Sequence, residues 1–537
     1  MKIQQLNSNN TSPSHKGVLD GAITTTLRTL DTNPMANAVG IDLFSMVAPR
    51  TYVDTKERNK YAGAETFFRE FTGTIIVCLS ASYLAKGIAK IANKIIDPST
   101  PINPNSWFSK DSITTMKSAW DSSHNKTSQF VENILDNTAG LDGGTTKQYK
   151  NIDWQNIQWI DEKRWNKINW ENKKYNYIHE RLKTKEAISE TITELIENKN
   201  ITKNDRKNLL NILSTRVTNA LGANSITVRN GNNTHSTSIP NLLRDTVDIG
   251  KDIFTNTKIN QQKAIDKLVK INKIKALGAL SIASTLGLTN QYINRKITEK
   301  RTGTKGFVGD KDYKNNIKQK TSTKDTSKKF IGEKLLASAG MVAMALGVMR
   351  VKSAKDFVKK LEFTGPVTSG NAIKTVYGAT LVGRFMASDN KDELRETATR
   401  DYLGFLNWLV LGGFAAKGVA NILDPKRKIL FNESKSGKGI KHWLNDLTLK
   451  SHNEIASKGT KFAQKNMWKL NLAQASGLAY STIALGYLLP KLNIFITGKK
   501  QAKSNTTKTE NNIKSSTNFT GDKFYNLNQF KSLSSKV

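Results

Sequence analysis

The sequence predicts an all-α protein made of two tandem, internally duplicated helical modules with short apolar helices of the membrane type, and with a helical soluble insert. Three observations lead to this prediction. Uncharged apolar runs recur along a chain that is otherwise rich in charge. The order of these runs repeats, with matching residues, in the two halves of the chain. None of the runs alternates between apolar and polar residues as a half-buried strand does, so helices are expected.

The uncharged runs are intermediate in length between core helices and membrane-spanning helices. They are Phe71–Ala85, Ala276–Asn294, Leu335–Met349, Tyr402–Ala416 and Leu470–Pro490. A full span requires roughly 20 apolar residues, which the last run provides. The first and fourth would reach that length if each helix continues past a lysine whose amine extends to the lipid headgroups. Glycine and alanine along the runs suit close helix packing in lipid, although a soluble core uses the same residues. Membrane embedding is the favoured interpretation.

Two blocks of the chain repeat in the same order. Asn37–Arg50 (NAVGIDLFSMVAPR) parallels Asn371–Arg384 (NAIKTVYGATLVGR), and both copies then read Glu-Thr-x-x-Arg-[Glu/Asp]-[Phe/Tyr]-x-Gly. A second block, Lys270–Thr298, parallels Lys469–Thr497 through matching Gly, Leu-Gly, Asn and Ile-Thr positions. Two similar modules in one chain are expected to pack about a pseudo-twofold axis, as the subunits of a dimer do.

These repeats divide the chain into six regions. The predicted regions are a flexible tail at 1–17, module copy 1 at 37–300 with a Trp/Lys-rich insert at 99–269, a basic linker at 301–333, an extra apolar helix at 334–350, module copy 2 at 371–500 and a flexible tail at 501–537.

The repeated motif contains the charged residues of interest. Glu65 and Arg69 are four residues apart on one predicted helix, and Glu396 and Arg400 match them on the other. The simplest interpretation is a local ion pair in each helix, worth a few tenths of a kcal/mol. The alternative is that the two modules bring all four side chains together as an intermodule polar cluster. That cluster would fix the two halves or hold an ion.

A lysine follows the first apolar run of each copy. Lys86 and Lys417 both stand in an Ala-Lys-Gly sequence, and an Asp-Pro pair follows each of them. We expect these amines to extend to the membrane surface, where they would contact lipid headgroups. The Asp-Pro pairs are expected to end the helices, because the residue before proline disfavours the helical conformation.

The insert carries a row of tryptophans. Trp154, Trp159, Trp165 and Trp170 recur at spacings of five, six and five among lysine and asparagine residues. They suit a small insert core, a membrane interface or stacking on single-stranded bases, in that order of preference. Downstream, residues 186–223 predict two soluble helices.

The charge of the chain indicates anionic partners. Lysine and arginine number 82 against 45 acidic residues, a formal net charge of +37. Anionic membrane lipid is the expected partner, a protein partner is an alternative, and nucleic acid is less favoured because lysine dominates. The single cysteine, Cys78, excludes an internal disulfide. The sequence contains no phosphate-binding loop, zinc-protease motif or nucleophile elbow, so we predict no catalytic, cofactor-binding or metal-binding residues, no enzyme activity and no small-molecule substrate.

Three functions fit these observations. The first is a membrane-associated helical protein of structural, scaffolding or interaction type, located in a bacterial inner membrane without a cleaved signal peptide. The second is a soluble basic helical protein that binds nucleic acid or another polyanion. The third is a repeat-based membrane carrier or channel, since such proteins place their sites at the interface between repeats.

Overall fold

The computed structural model confirms an all-α architecture, with helices forming most of the described chain. The structure describes residues 23–24, 26–31, 34–100, 102–103, 107–141, 149–151, 184–221, 225–303, 325–363, 365, 369–407, 411–433, 439, 443, 447–456, 458, 460–496 and 499. The two predicted tails, the four insert tryptophans and residues 304–324 of the predicted linker lie outside these ranges.

The first helices run without long interruptions. They are α1 (Pro34–Gly40), the π-helix π1 (Ile41–Val47), α2 (Ala48–Glu57), α3 (Lys60–Thr74), the π-helix π2 (Ile75–Ser80) and α4 (Ala81–Ile95). The segments α3, π2 and α4 form one continuous helix of 36 residues. This helix begins where the Asn59 side chain accepts a hydrogen bond from the Ala62 amide. It ends just before Asp97-Pro98, as expected from the sequence.

The insert folds as a separate unit of short helices around a small sheet. Its elements are α5 (Lys110–Asp121), α6 (Thr127–Asp136), β1 (Thr138–Leu141), β2 (Tyr149–Asn151), α7 (Lys185–Glu197), α8 (Lys203–Leu221), β3 (Ser225–Asn230), β4 (Asn233–Ser238), α9 (Ile239–Ile249) and the π-helix π3 (Gly250–Phe254). The four strands are antiparallel in the order β2-β1-β3-β4.

The sequence analysis did not predict this small sheet. The hairpin of β3 and β4 turns at Gly231, whose φ of +57° is a left-handed conformation that glycine adopts readily. The Asn230-Gly231 pair is a recognised hairpin signal between two runs with β-branched residues. The predicted helices of residues 186–223 are present as α7 and α8, and the Thr202 hydroxyl accepts a hydrogen bond from the Asp205 amide.

Long helices also form most of the described chain after residue 260. Its elements are α10 (Gln261–Thr302), α11 (Lys328–Val348), α12 (Ala354–Leu361), α13 (Gly370–Ala387), α14 (Lys391–Leu406), α15 (Gly412–Leu423), β5 (Phe431–Glu433), β6 (Leu447–Leu449), α16 (His452–Ala456), α17 (Thr460–Ser481) and the π-helix π4 (Thr482–Leu488). Helix α11 begins at Lys328, within the predicted linker, because the Ser327 hydroxyl caps its first turn.

Helices from the two predicted modules cross closely at two places. In the first crossing, Gly383 of α13 lies against the backbone of Leu288 in α10, which leaves no room for a Cβ atom. In the second, Gly486 of π4 lies against the Ser45 carbonyl of π1, again without space for a side chain. Helices α10 and π4 thus each cross the first segment of the other predicted module.

Three aromatic rings form the centre of the insert core. Trp120 of α5 stacks on Phe254 of π3 at a centroid distance of 4.9 Å, and Phe130 of α6 packs edge-on against both rings at 5.6 and 5.4 Å. All three side chains are buried. Packing of this kind contributes apolar burial and a favourable ring geometry together.

We expect Phe254→Ala to destabilise the insert by about 3–5 kcal/mol, because it removes a buried ring and leaves a cavity. Hydrogen exchange of the β3 and β4 amides in the full-length chain measures this loss. The control is Lys117→Ala, which breaks an exposed ion pair with Asp121 and should change exchange by less than about 1 kcal/mol. Equal exchange in both variants would contradict the assigned core.

Candidate functional site

Charged side chains from both halves of the chain meet inside the bundle. Arg50 of α2 pairs with Glu70 of α3 at 3.3 Å between Nη1 and Oε1. Arg384 of α13 pairs with the other oxygen of Glu70 at 3.0 Å, and with Asp401 of α14 at 3.2 Å. These four side chains are between 1% and 7% exposed. The Arg384–Glu70 pair therefore joins the second half of the chain directly to the first.

Two further arginines complete this set. Arg69 Nη2 lies 3.3 Å from Glu70 Oε1, and Arg400 Nε lies 3.2 Å from Asp401 Oδ1. Glu70 thus has ion pairs with three guanidinium groups. We call Arg50, Arg69, Glu70, Arg384, Arg400 and Asp401 the buried ion-pair network. A buried charge is tolerated only when partners replace the water it has lost, and the ion pairs of this network replace part of it. Arg50 Nη2, Arg384 Nε and Asp401 Oδ2 have no hydrogen-bond partner among the described residues.

The arginines that cross between the halves pass close to a glycine of the opposite half. A Cβ atom added at Gly73 would lie 3.5 Å from Arg384 Nη2, and one added at Gly404 would lie 3.4 Å from Arg50 Nη2. Gly73 and Gly404 occupy the same position of the repeated motif. Each half therefore places an arginine over the motif glycine of the other half.

Of the predicted site residues, Arg69 and Arg400 belong to this network, and Glu65 and Glu396 lie beside it. Glu65, Arg69 and Arg400 line one small cavity with Asp54 and Arg58. The cavity is about the size of one water molecule. The structure thus brings three of the four predicted side chains to a common cavity.

The fourth predicted residue reaches the same region through an ion pair. Glu396 Oε1 lies 2.5 Å from Arg58 Nη2, and Arg58 lines the cavity. Arg58 also faces Asp54, at 3.8 Å between Nε and Oδ1. The contacts of Arg58 therefore link α2 and the α2–α3 connection to α14.

Polar side chains of α10 extend the region toward the start of α3. Arg295 forms ion pairs with Asp389, at 2.7 Å, and with Glu393. It is 14% exposed, so this end of the region is near the aqueous surface. The Thr72 hydroxyl donates a hydrogen bond to Asn290 Oδ1 at 3.0 Å, which adds a polar contact between α3 and α10.

Sequence reasoning missed Arg50, Glu70, Arg384 and Asp401, although a signal for each was present. Arg50 and Arg384 end the two matching segments of the first repeated block. Glu70 and Asp401 are the acidic position of the repeated motif. In both copies of the motif an acidic residue follows the arginine directly. This position could have indicated that the acidic residue pairs with an arginine of another helix rather than with one on its own helix.

The two lysines of the Ala-Lys-Gly sequences have different surroundings. Lys86 is exposed, and its amine lies 5.4 Å from the centre of the Tyr83 ring. Lys417 is half-buried, donates a hydrogen bond of 3.5 Å to the Trp443 carbonyl and lies near the Phe414 ring. Lys86 is therefore available to a headgroup, whereas Lys417 packs within the protein.

Within the described part of the chain, no group of three or more His, Cys, Asp and Glu side chains is arranged to hold a metal ion. No protein-family model matches the chain, and no curated protein or solved structure is significantly similar to it.

We expect Glu70→Gln to reduce the free energy of unfolding by about 3–5 kcal/mol, because three buried arginines lose one carboxylate. Thermal and denaturant unfolding of the purified chain in detergent measure the change. The matched control, Asp121→Asn, breaks an exposed pair with Lys117 and should cost about 0–1 kcal/mol. A similar small loss for both variants would show that the network contributes little to stability.

The double substitution Glu65→Lys with Arg69→Glu tests whether the pair acts locally. Glu65 lies within electrostatic range of Arg295 and Arg400 as well as Arg69, so the swap places a lysine among unchanged arginines. We expect a clear drop in melting temperature. The control swap, Lys117→Asp with Asp121→Lys on an exposed helix, should change stability by about 0.5 kcal/mol or less. If the melting temperature of the Glu65→Lys, Arg69→Glu variant equals that of the unsubstituted chain, the local pair is favoured.

Proposed function

We propose that this protein is a membrane-embedded helical protein of structural or scaffolding type, in which two duplicated modules pack about a pseudo-twofold axis. The bundle of long helices, α1–α4 with α10–α17 and their π segments, would be its membrane part. The insert would be its water-exposed part. The observation that carries this proposal is the distribution of exposed apolar side chains.

Large exposed apolar residues lie on the bundle and not on the described part of the insert. Helices α3, α10, α11, α17 and π4 each expose several of them, among which Leu336 is 76% and Leu488 is 57% exposed. Among the described residues between 99 and 269, none is a large exposed apolar residue. A soluble protein rarely exposes extended apolar surface, whereas a membrane bundle must.

The length of the apolar surface suits a bilayer. Three helices are long and apolar enough to cross a membrane, namely Lys60–Ile95, Lys328–Val348 and Phe462–Ile496. On α10, exposed apolar residues extend from Ile274 to Ile297, which is about 35 Å of helix. The hydrocarbon core of a bilayer is about 30 Å thick.

The interior of the bundle contains buried charged side chains. The buried ion-pair network lies at the level of Phe67 and Phe71, two exposed rings on α3. Charged residues inside and apolar residues outside are the expected arrangement where lipid surrounds the helices. The network then serves as the polar contact that holds the modules together, because lipid removes the hydrophobic force between helices.

The reciprocal contacts support the duplicated arrangement. Gly73 meets Arg384 while Gly404 meets Arg50, which is the pattern of exchanged contacts that a twofold axis produces. The two helix crossings are exchanged in the same way. Helix α10 of the first predicted module crosses α13 of the second, and π4 of the second crosses π1 of the first.

Lysines on α4 support contact with anionic lipid. Lys86, Lys90 and Lys94 are exposed and four residues apart, so they share one face of the helix beyond the apolar surface of α3 and π2. A cluster of cations at the end of a spanning helix attracts anionic headgroups.

Substitution of a lipid-facing residue tests this proposal. We expect Leu336→Arg, near the middle of α11, to reduce recovery in carbonate-washed membranes, because a charge at a helix centre costs about 2.5–3.5 kcal/mol on insertion. The matched control is Gln129→Arg on an exposed face of α6, which should leave recovery unchanged. If the bundle is a soluble core, the chain stays out of the membrane pellet and Leu336→Arg changes its stability by only about 0.5 kcal/mol.

A further inference from the structure

An aspartate in the bundle has a carboxylate oxygen without a partner. Asp42 lies in π1 and is 6% exposed. Its Oδ2 accepts a hydrogen bond of 3.0 Å from the Thr74 hydroxyl. Within the part of the chain that the structure describes, Oδ1 has no hydrogen-bond partner. A buried polar atom without a partner is uncommon in a folded protein and needs an explanation. Asp401 Oδ2 also lacks a hydrogen-bond partner, but Asp401 pairs with two arginines through its other oxygen, whereas Asp42 has no ion pair.

A cavity about the size of one water molecule adjoins this side chain. Its polar lining consists of Asp42, Glu70, Thr74, Tyr377, Thr380 and Arg384. The side chains of Asp42 and Thr74 come from positions in or next to the π-helical segments π1 and π2. Single π-helical turns occur frequently at functional sites.

The arginines nearest Asp42 form ion pairs with other carboxylates. Arg50 pairs with Glu70, and Arg384 pairs with Glu70 and Asp401. Glu70 itself repels a second negative charge. The other titratable neighbours, Tyr377 and Cys78, are neutral in their ordinary state. Asp42 is therefore buried near two arginines without a direct ion pair to either of them.

A carboxyl group in such surroundings avoids the cost of burying a charge by taking up a proton. The neutral acid has an O–H donor, and a water in the cavity would accept its hydrogen bond and contact the neighbouring hydroxyl groups. The pairing of Arg50 and Arg384 with Glu70 then remains undisturbed.

We propose that Asp42 is a proton-binding site between the two halves of the bundle, occupied at neutral pH, with one water in the adjoining cavity. This site goes beyond the structural role proposed above and does not depend on it. When the proton leaves, the carboxylate competes with Glu70 for Arg50 and Arg384. Proton binding thereby controls the ion pairs that join the halves.

The proton reaches this site from one side of the bundle. From Asp42, polar side chains continue through Glu70, Arg69 and Glu65 to Arg295, which is partly exposed. In the other direction, π2 and α4 bury Val77, Cys78, Ala81 and Ala85. Of these two directions, the first has side chains that can orient water.

Infrared spectroscopy of the purified full-length chain tests the proposal. At neutral pH, we expect a carbonyl stretching band of a protonated carboxylic acid, in a region where carboxylates do not absorb. Asp42→Asn should remove this band while lowering the melting temperature little, because one neutral group replaces another. Asp42→Glu should keep the band and shift its position, which preserves the test if Asp42→Asn folds poorly. The matched control, Asp54→Asn beside Thr66 and Arg58, should leave the band unchanged.

Two results would overturn the proposal. One is the absence of a protonated-acid band from the native chain at neutral pH. The other is a band that persists in Asp42→Asn and does not move in Asp42→Glu, which would assign the proton to a different carboxyl group.

Discussion

The pairing of one carboxylate with three arginines is the constraint on which the bundle depends. Glu70 contacts Arg50, Arg69 and Arg384, and the last of these comes from the opposite half of the chain. Three guanidinium groups that lost this partner would be buried with too little negative charge, so α2, α3 and α13 must keep their relative positions. Each crossing arginine lies over the motif glycine of the facing helix, at Gly73 and Gly404.

The bundle and the insert differ most in what they expose. Both have an apolar core, built around side chains such as Trp120 and Phe254 in the insert and Phe385 and Phe405 in the bundle. The bundle also encloses the buried ion-pair network, and it alone exposes many leucine and isoleucine side chains among the described residues. This contrast within one chain supports a membrane location for the bundle, since lipid stabilises an apolar exterior and leaves polar contacts to hold the helices together. Asp42 adds a group whose charge state would affect those contacts.

Much of the fold could be predicted from the pattern of apolar residues and from the residues that end helices. Uncharged runs without alternation indicated helices, and the Asp-Pro pairs at 97 and 424 indicated where α4 and α15 end. The sheet of the insert was missed because its strands are short and polar, although the Asn230-Gly231 turn was readable. The candidate site was predicted in part. Glu65, Arg69, Glu396 and Arg400 were chosen from the repeated motif, whereas Asp42 stands outside any repeated acidic position and had no such signal.

The sequence by itself determined which residue types occur at which helical positions, because side-chain periodicity and capping depend on near neighbours along the chain. It placed the acidic and basic residues of the motif on α3 and α14, and glycine one turn beyond them. Only the tertiary structure decided the partners: Arg384 with Glu70, Arg58 with Glu396, and, among the described residues, no partner for one oxygen of Asp42. Ion pairs between distant segments depend on how helices cross. That crossing is set by packing over the whole bundle, which no local stretch of sequence encodes.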